Sequence, residues 1–291
     1  MPELPEIETV KLQLLRVIKG AKVQSCKILS QKTVQGDINL IVGKFVVDVR
    51  RKAKVLLIDF SKNITTAFHF KMTGQLVYIP HPSPLLISGE GSRIVGGHPT
   101  ADFVNKMPSS HTRIIFNFDK GTLYFNDQRL FGWVKVGKRH EIEKEKFLQK
   151  LGPEPFDIST EEFVKRVSNS KRPIKLIIMD QEVISGMGNI YANDSLWEAR
   201  INPKTPSNQV TNNQLTALYN AVIKVLKEGI KYGGATAADA KYINLHGLGG
   251  HYQEHFRVYD RVGLPCLRCK TKIKKFVLSG RGTYYCPVCQ V

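Results

Sequence analysis

A chain of 291 residues is long enough to bury a sizeable core and to divide into two domains. Its 43 Lys and Arg against 25 Asp and Glu leave a net charge of +18, which selects a polyanionic partner, either nucleic acid or an anionic membrane surface. No apolar run approaches the ~18 residues of a membrane span and no signal peptide precedes the first motif, so the sequence predicts a soluble intracellular protein with nucleic acid as the favoured partner.

The chain begins Met1-Pro2-Glu3-Leu4-Pro5-Glu6. Removal of Met1 would present Pro2 as a free secondary amine beside Glu3. A terminal α-amine titrates near pH ~8 against ~10.4 for a lysine, so roughly a tenth is uncharged at neutral pH, an upper bound for the more basic proline. An uncharged amine can attack an electrophilic sugar or carbonyl carbon and form an iminium, and a neighbouring carboxylate can move the protons. The bland alternative is an accidental N-terminus protected from exopeptidases. The residues after Leu4 argue for an anchored start. Pro5 suits the first turn of a helix, Glu6 and Glu8 complement its dipole, and Ile7, Val10, Leu14 and Val17 recur at helical spacing before Gly20. Glu6 reads equally as a helix acid or as a member of the site.

From Val23 to Val136 short alternating apolar runs predict an antiparallel sandwich or barrel: Phe45 to Val49, Val55 to Phe60, Thr65 to Phe70, Ile114 to Phe118, Thr122 to Phe125 and Trp133 to Val136. Arg50-Arg51-Lys52-Ala53-Lys54 concentrates charge at one rim of the sheet, as a solvated edge or as part of a site. The turns at 70–74 and 127–132 present Met72, Arg129 and Phe131, either as core or as wedges that fill the void left by an extruded base. Residues 80–110, rich in Pro, Gly and Ser, predict an exposed loop or insertion. The charged run 138–150 reads as a helix or linker and Leu151-Gly152-Pro153-Glu154-Pro155 as a hinge. Helices are predicted near 160–168, 173–180, 189–199 and 211–232. Gly186-Met187-Gly188-Asn189 opens one of them without a third glycine, so it is no dinucleotide fingerprint, but its backbone N–H groups suit a phosphate.

Cys266-Leu267-Arg268-Cys269 and Cys286-Pro287-Val288-Cys289 are two C-x-x-C pairs sixteen residues apart, a spacing that supplies four thiolates to one structural zinc. Two disulfides are the competing reading, disfavoured in a basic intracellular chain. From Pro265 to Val291 there are six basic residues and no acid, so the finger stays positive even with a zinc tetrathiolate, and Arg281 sits at its Ser279-Gly280-Arg281-Gly282 tip. Cys26 is left as an ordinary buried thiol.

These features together resemble the formamidopyrimidine-DNA glycosylase family. The resemblance runs nearly end to end: PELPEIETV at 2–10, RRKAK at 50–54, FKMTG at 70–74, DQRLFG at 127–132, LGPEP at 151–155, GMGNIYANDSLW at 186–197, GG at 233–234 and the zinc hairpin. The terminal PELPE together with the cysteine spacing is the most specific part. The resemblance implies an α+β fold. An N-terminal antiparallel β-sandwich with flanking helices (1–137) is joined by a hinge (138–155) to a helical domain with a helix-two-turns-helix (156–262), followed by a zinc-finger hairpin (263–291). DNA is expected in the cleft between the domains.

Carried over by position, the resemblance makes Pro2 the nucleophile at C1′ of the damaged nucleotide and Glu3 the general acid/base, with Glu6 beside them. Lys54 becomes the lysine of β-elimination and phosphate contact, and Arg281 the zinc-finger arginine near the phosphates and δ-elimination. His111, Arg129, Lys171, Lys175 and Asn189 become DNA contacts, and Met72, Arg129 and Phe131 the void-filling trio. The expected cofactor is one structural Zn2+, and the expected partner is duplex DNA carrying oxidised bases or abasic sites. The expected enzyme is a monomeric bifunctional glycosylase/AP lyase for oxidised purines, cytoplasmic and nucleoid-associated. Lys71 and Leu130 depart from the glycine and arginine usual in the family, and His111-Thr112-Arg113 stands where His-x-His is common. PELPEIET, rather than PEGPE, and a loop at 235–255 favour the purine enzyme over an endonuclease VIII-like relative for oxidised pyrimidines. A zinc-containing DNA-damage sensor without catalysis is the alternative of another class.

Overall fold

A computed structural model of the chain describes residues 1–81, 93–98, 102, 105–235 and 250–291. It falls into two compact units, Met1–Gln149 with Gly233–Gly250, and Lys150–Tyr232 with His251–Val291.

The first unit starts with α1 (Leu4–Ile18), which carries Pro5 in its opening turn. Ile7, Val10, Leu14 and Ile18 form its buried stripe. Ile18 takes the place expected of Val17, which is half-buried, because steps of three, four and four keep the stripe on one face of a 3.6-residue helix. The strands follow as β1 (Val23–Ile28), β2 (Val34–Gln35), β3 (Val46–Lys52), β4 (Val55–Phe60), β5 (Ile64–His69), β6 (Gly74–Pro80), β7 (Ile94–Gly97), β8 (Thr112–Phe118), β9 (Gly121–Asp127) and β10 (Trp133–Lys138). They build two five-stranded sheets in the orders β1-β8-β9-β6-β7 and β2-β10-β5-β4-β3. Pairing is antiparallel except for the two-residue edge contact of β2 with β10, which is parallel. Phe68 of β5 packs on Phe116 of β8 and Phe125 of β9, with ring centroids 5.7 and 6.0 Å apart, so the sheets share one core that also receives α1.

The segment 80–110, expected to be a loop, contributes β7 to the sheet edge. Val95 joins Val77 and Met107 in a small apolar cluster of its own, which gives this piece the burial a bare loop lacks. The charged run after β10 forms two short helices, α2 (Arg139–Glu143) and α3 (Lys146–Gln149).

The second unit holds α4 (Thr160–Val167), α5 (Ile174–Ile178), α6 (Asn189–Glu198) and α7 (Asn212–Lys231). Ser159 caps α4 by accepting the Glu162 N–H, and Thr211 with Gln214 forms a capping box on α7. α6 is buried almost all round, including Asn193, Asp194 and Ser195. Asp194 accepts the N–H groups of Arg257, Val258 and Tyr259, which fixes the chain that leads into the finger. The finger is the hairpin β11 (Lys274–Leu278) and β12 (Arg281–Tyr285). Ser279 (φ 49°) and Gly280 (φ 72°) form its turn, the doubly left-handed conformation that matches strand twist in a two-residue hairpin loop.

Candidate functional site

In the first unit Pro2, Glu3 and Glu6 are buried at the start of α1. Met1 precedes Pro2, whose nitrogen becomes an amine only when Met1 is removed. The Glu3 N–H donates to Glu6 Oε2 at 2.7 Å, and the other oxygen of Glu6 accepts the N–H of Ala235 at 2.7 Å. Glu6 is therefore both a first-turn helix acid and a tie that holds the backbone of Glu3. The Gly233-Gly234 pair makes the approach possible. Gly234 has φ 82°, and a Cβ there would lie 2.8 Å from the Glu6 side chain. The expected capping loop 235–255 lies outside the described residues between 236 and 249.

Lys54 is buried in the two-residue turn between β3 and β4, beside Ala53 at φ 52°. Arg51 Nη1 donates to the Ala53 carbonyl at 3.1 Å, and Arg51 Nε pairs with Glu8 of α1 at 2.7 Å. Burial alone would raise the Glu8 carboxyl, but Lys11 and Arg51 hold it below its usual range, so it stays an anion at neutral pH. This ion pair ties the Lys54 turn to the helix that carries Pro2 and Glu3. His69 at the end of β5 is buried against Trp133 and Phe147. Burial, with the Lys71 and Lys54 cations adding to it, pushes its imidazole down to about 3. His69 is thus neutral and accepts the Lys71 N–H through Nδ1 at 3.0 Å, at the entry to the Met72 turn.

Met72 and Phe131 project from neighbouring turns with 44% and 54% of their surface exposed. The Arg129 guanidinium lies over the Phe131 ring, 4.8 Å from its centroid. His111 is held through Nδ1 by Asp102 at 2.8 Å. Sequence reasoning missed Asp102, because it sits in a segment with no periodicity and meets His111 only through the fold.

In the second unit Arg281 is exposed at the tip of the finger and Lys171 is exposed before α5. Asn189 Nδ2 donates to the Gly282 carbonyl at 3.1 Å. Lys175, expected to face DNA, is fully buried. Its ammonium donates to the same carbonyl at 3.1 Å and to Thr283 Oγ1 at 2.8 Å, so here it props the hairpin that carries Arg281.

Cys266, Cys269, Cys286 and Cys289 bring their sulfurs within 4.8 Å of one another, with Cys266–Cys289 at 3.9 Å and Cys269–Cys286 at 3.4 Å. Zn–S bonds of ~2.3 Å in a tetrahedron separate sulfurs by about 3.8 Å, so the cluster fits one zinc ion. The Trp197 indole N–H donates to Cys266 Sγ and the Cys289 N–H to Cys286 Sγ, the outer hydrogen bonds expected around thiolate ligands. Four thiolates leave no open position, which makes the metal structural. Cys26 stands apart, its thiol pushed up to about 12 by burial.

Three family models match the chain: the formamidopyrimidine-DNA glycosylase N-terminal domain over residues 1–134, the formamidopyrimidine-DNA glycosylase H2TH domain over 151–241, and the zinc finger found in FPG and IleRS over 263–291. The formamidopyrimidine-DNA glycosylase of Pelotomaculum thermopropionicum is 36% identical over 298 residues, covering 100% of this chain and 99% of that protein. The one from Ligilactobacillus salivarius is 34% identical over 298 residues, with 100% and 99% covered. Among solved structures, MutM (FPG) from Thermus thermophilus superposes with a TM-score of 0.82 at 31% identity, covering 99% of this chain and 98% of that one. Lactococcus lactis Fpg in complex with abasic-site DNA superposes at 0.83 with 28% identity, and 99% of each chain is covered.

Proposed function

Because this chain belongs to the formamidopyrimidine-DNA glycosylase family and is a DNA glycosylase with a zinc finger, we propose that it excises oxidised purines such as 8-oxoguanine and formamidopyrimidines through Pro2, and then cleaves the strand as an AP lyase. The observation that carries this reading is the anchored N-terminus. Pro2 and Glu3 are buried at the head of a rigid helix, and Glu6 fixes the Glu3 amide. A disordered tail would lose the orientation that makes an intramolecular attack fast.

With Met1 removed, the lone pair of the Pro2 nitrogen forms a bond to C1′ as the C1′–N9 bond breaks and the base leaves with a proton. Glu3, as general acid/base, protonates the ring oxygen so that the sugar opens to an iminium. Glu3, a carboxylate once it has given up its proton, takes a C2′ proton; the C–H electron pair is drawn towards the iminium and then expels the 3′ phosphate, and a second elimination expels the 5′ phosphate. Water then releases Pro2. Lys54 and Arg281 neutralise the departing phosphates, while His111, Arg129, Lys171 and Asn189 grip the backbone. Lys175 acts with them through the Gly282 carbonyl. Met72, Arg129 and Phe131 fill the gap left by the extruded nucleotide. Zinc supplies a folded, positive finger and takes no part in bond making.

Residues 1–137 carry the chemistry on this reading. Residues 156–262 and the finger at 263–291 supply the DNA grip, and 138–155 join the two. The protein acts as a monomer on chromosomal DNA in the cytoplasm. One neighbour, the Lactococcus lactis protein, was solved with oxidised-pyrimidine DNA, so the test sets purine against pyrimidine lesions. Single-turnover excision is measured on duplexes carrying 8-oxoguanine opposite cytosine, formamidopyrimidine, or thymine glycol. Faster excision of the two purine lesions, with β,δ-eliminated ends, supports the proposal. Excision confined to thymine glycol, or binding without excision, overturns it.

A further inference from the structure

The void-filling residues stand on two turns far apart in sequence, and one buried carboxylate lies between them. Asp127 is the last residue of β9, paired with Gly74 at the start of β6, and it is 0% exposed. Its Oδ1 accepts the Thr73 hydroxyl, next to Met72, and the Arg129 N–H at 3.2 Å. Its Oδ2 accepts the Gly132 N–H at 2.6 Å, next to Phe131. Thr73 Oγ1 is shared in turn with the Arg129 N–H at 3.1 Å.

The backbone of Asp127 reaches a third segment. Its N–H donates to the His111 carbonyl at 2.9 Å, and its carbonyl accepts Arg113 Nε at 2.8 Å. Met72, Arg129, Phe131 and His111 therefore all hang within one or two residues of a bond to Asp127. The local chain is built around this carboxylate. A Cβ at Gly132 would lie 3.0 Å from Asp127 Oδ2, so a larger residue there would crowd the carboxylate that accepts that N–H. Leu130, between the two anchored amides, is held at φ 57°, a left-handed conformation that is strained for a leucine and persists only where its neighbours enforce it. A buried carboxylate is tolerated where neutral donors saturate it; losing Oδ1 as an acceptor orphans a donor on each turn, and losing Oδ2 orphans the Gly132 N–H.

We propose that Asp127 is the positioning residue that sets Met72, Arg129 and Phe131 as a single wedge, so that base extrusion from a duplex depends on its carboxylate while the chemistry at Pro2 does not. This rests on the reading of those three residues as void fillers. Asp127→Asn keeps the shape but turns one edge into an N–H2 donor facing an N–H, which separates the Phe131 turn from the Met72 turn. Thr73→Val removes the hydroxyl bridge and leaves Asp127 in place.

The experiment uses the full-length, zinc-loaded protein with Met1 removed. Excision of 8-oxoguanine from a duplex is compared with cleavage of a preformed abasic site in a single-stranded oligonucleotide, where no void needs filling. 2-Aminopurine beside the lesion reports extrusion. The expected result is at least a tenfold fall in duplex excision by Asp127→Asn and Thr73→Val, with the 2-aminopurine signal lost and single-strand cleavage within twofold of the parent. An equal fall on both substrates marks a merely structural role and overturns the proposal. So does unchanged duplex excision by both variants when Phe131→Ala is impaired. Unchanged excision by Phe131→Ala overturns the wedge reading itself, and the proposal with it. If Asp127→Asn shows no cooperative unfolding transition, Thr73→Val decides by the same ratio.

Discussion

Glu6 and Ala235, 229 positions apart, are joined by a hydrogen bond of 2.7 Å from the Ala235 N–H to the carboxylate that also holds the Glu3 amide. One side chain thus connects the residue assigned to proton transfer with the chain that leaves α7. Glu6→Gln retains an acceptor for only one of the two amides. Excision should fall about tenfold or more, while stability drops by only ~1 kcal/mol, the usual worth of a helix cap. Single-turnover kinetics and thermal unfolding on the same preparation separate the two effects. An excision rate unchanged by Glu6→Gln would mean that the tie has no part in the chemistry.

His69 gives the protein an acid-sensitive element. Its folded value of about 3 lies below the ~6.5 of an unfolded histidine, so the unfolded chain binds the extra proton between those limits. Stability from this group rises with pH through that window and is lost as pH falls from about 6.5 towards about 3, by up to ~1.4 kcal/mol per unit. Urea unfolding at pH 7.5 and pH 5.0 should show a smaller acid loss for His69→Gln than for the parent chain. Equal losses would remove His69 as the cause.

Asp102 fixes the His111 ring from the segment between β6 and β8. If His111 contacts a phosphate, Asp102→Asn should weaken binding to damaged and undamaged duplexes alike, by ~3- to 10-fold. A full loss of the contact lowers the slope of log affinity against log salt by about one. A change confined to damaged DNA would place His111 at the lesion instead.

Zinc removal should act on the grip before the chemistry. A structural zinc contributes ~10 kcal/mol or more to the folding of a small finger, so chelation under denaturing conditions or Cys286→Ser should unfold the hairpin. The Gly282 carbonyl held by Lys175 and Asn189 is then released, and Arg281 with it. Duplex affinity should fall at least 100-fold, while the near-ultraviolet signature of the β-sheet unit persists. Retained affinity would contradict the role given to the finger.

Much of this was legible in the sequence, for physical reasons. Val55–Phe60 is an apolar run between charged turns, and it forms the strand read from it. The helices at Asn189–Glu198 and Asn212–Lys231, and the four-cysteine cluster, also follow from local signals. β1 was missed because VQSCKI is mostly polar and exposed, and β6 because it opens on Gly74 straight out of the Met72 turn. β7 was hidden in a Pro- and Gly-rich stretch and exists by virtue of its partner strand. Lys175, carried over by position as a DNA contact, donates instead to Gly282 and Thr283, more than a hundred residues on, and is buried there. Asp127 is hardest to read of all, because its partners come from turns at 73, 111 and 129–132 that only the sheet brings together. Local pattern records which face of an element is apolar, and it carries no record of which distant donors converge on a buried acid.

Every later step of the proposed reaction depends on Pro2 being the nucleophile. Borohydride reduction during reaction with an 8-oxoguanine:cytosine duplex, followed by mass mapping of the trapped peptide, tests it directly. A covalent adduct should form on the N-terminal peptide at Pro2 and be absent when Met1 is retained. An adduct mapped to a lysine such as Lys54, or none despite confirmed Met1 removal and tight binding, would contradict it.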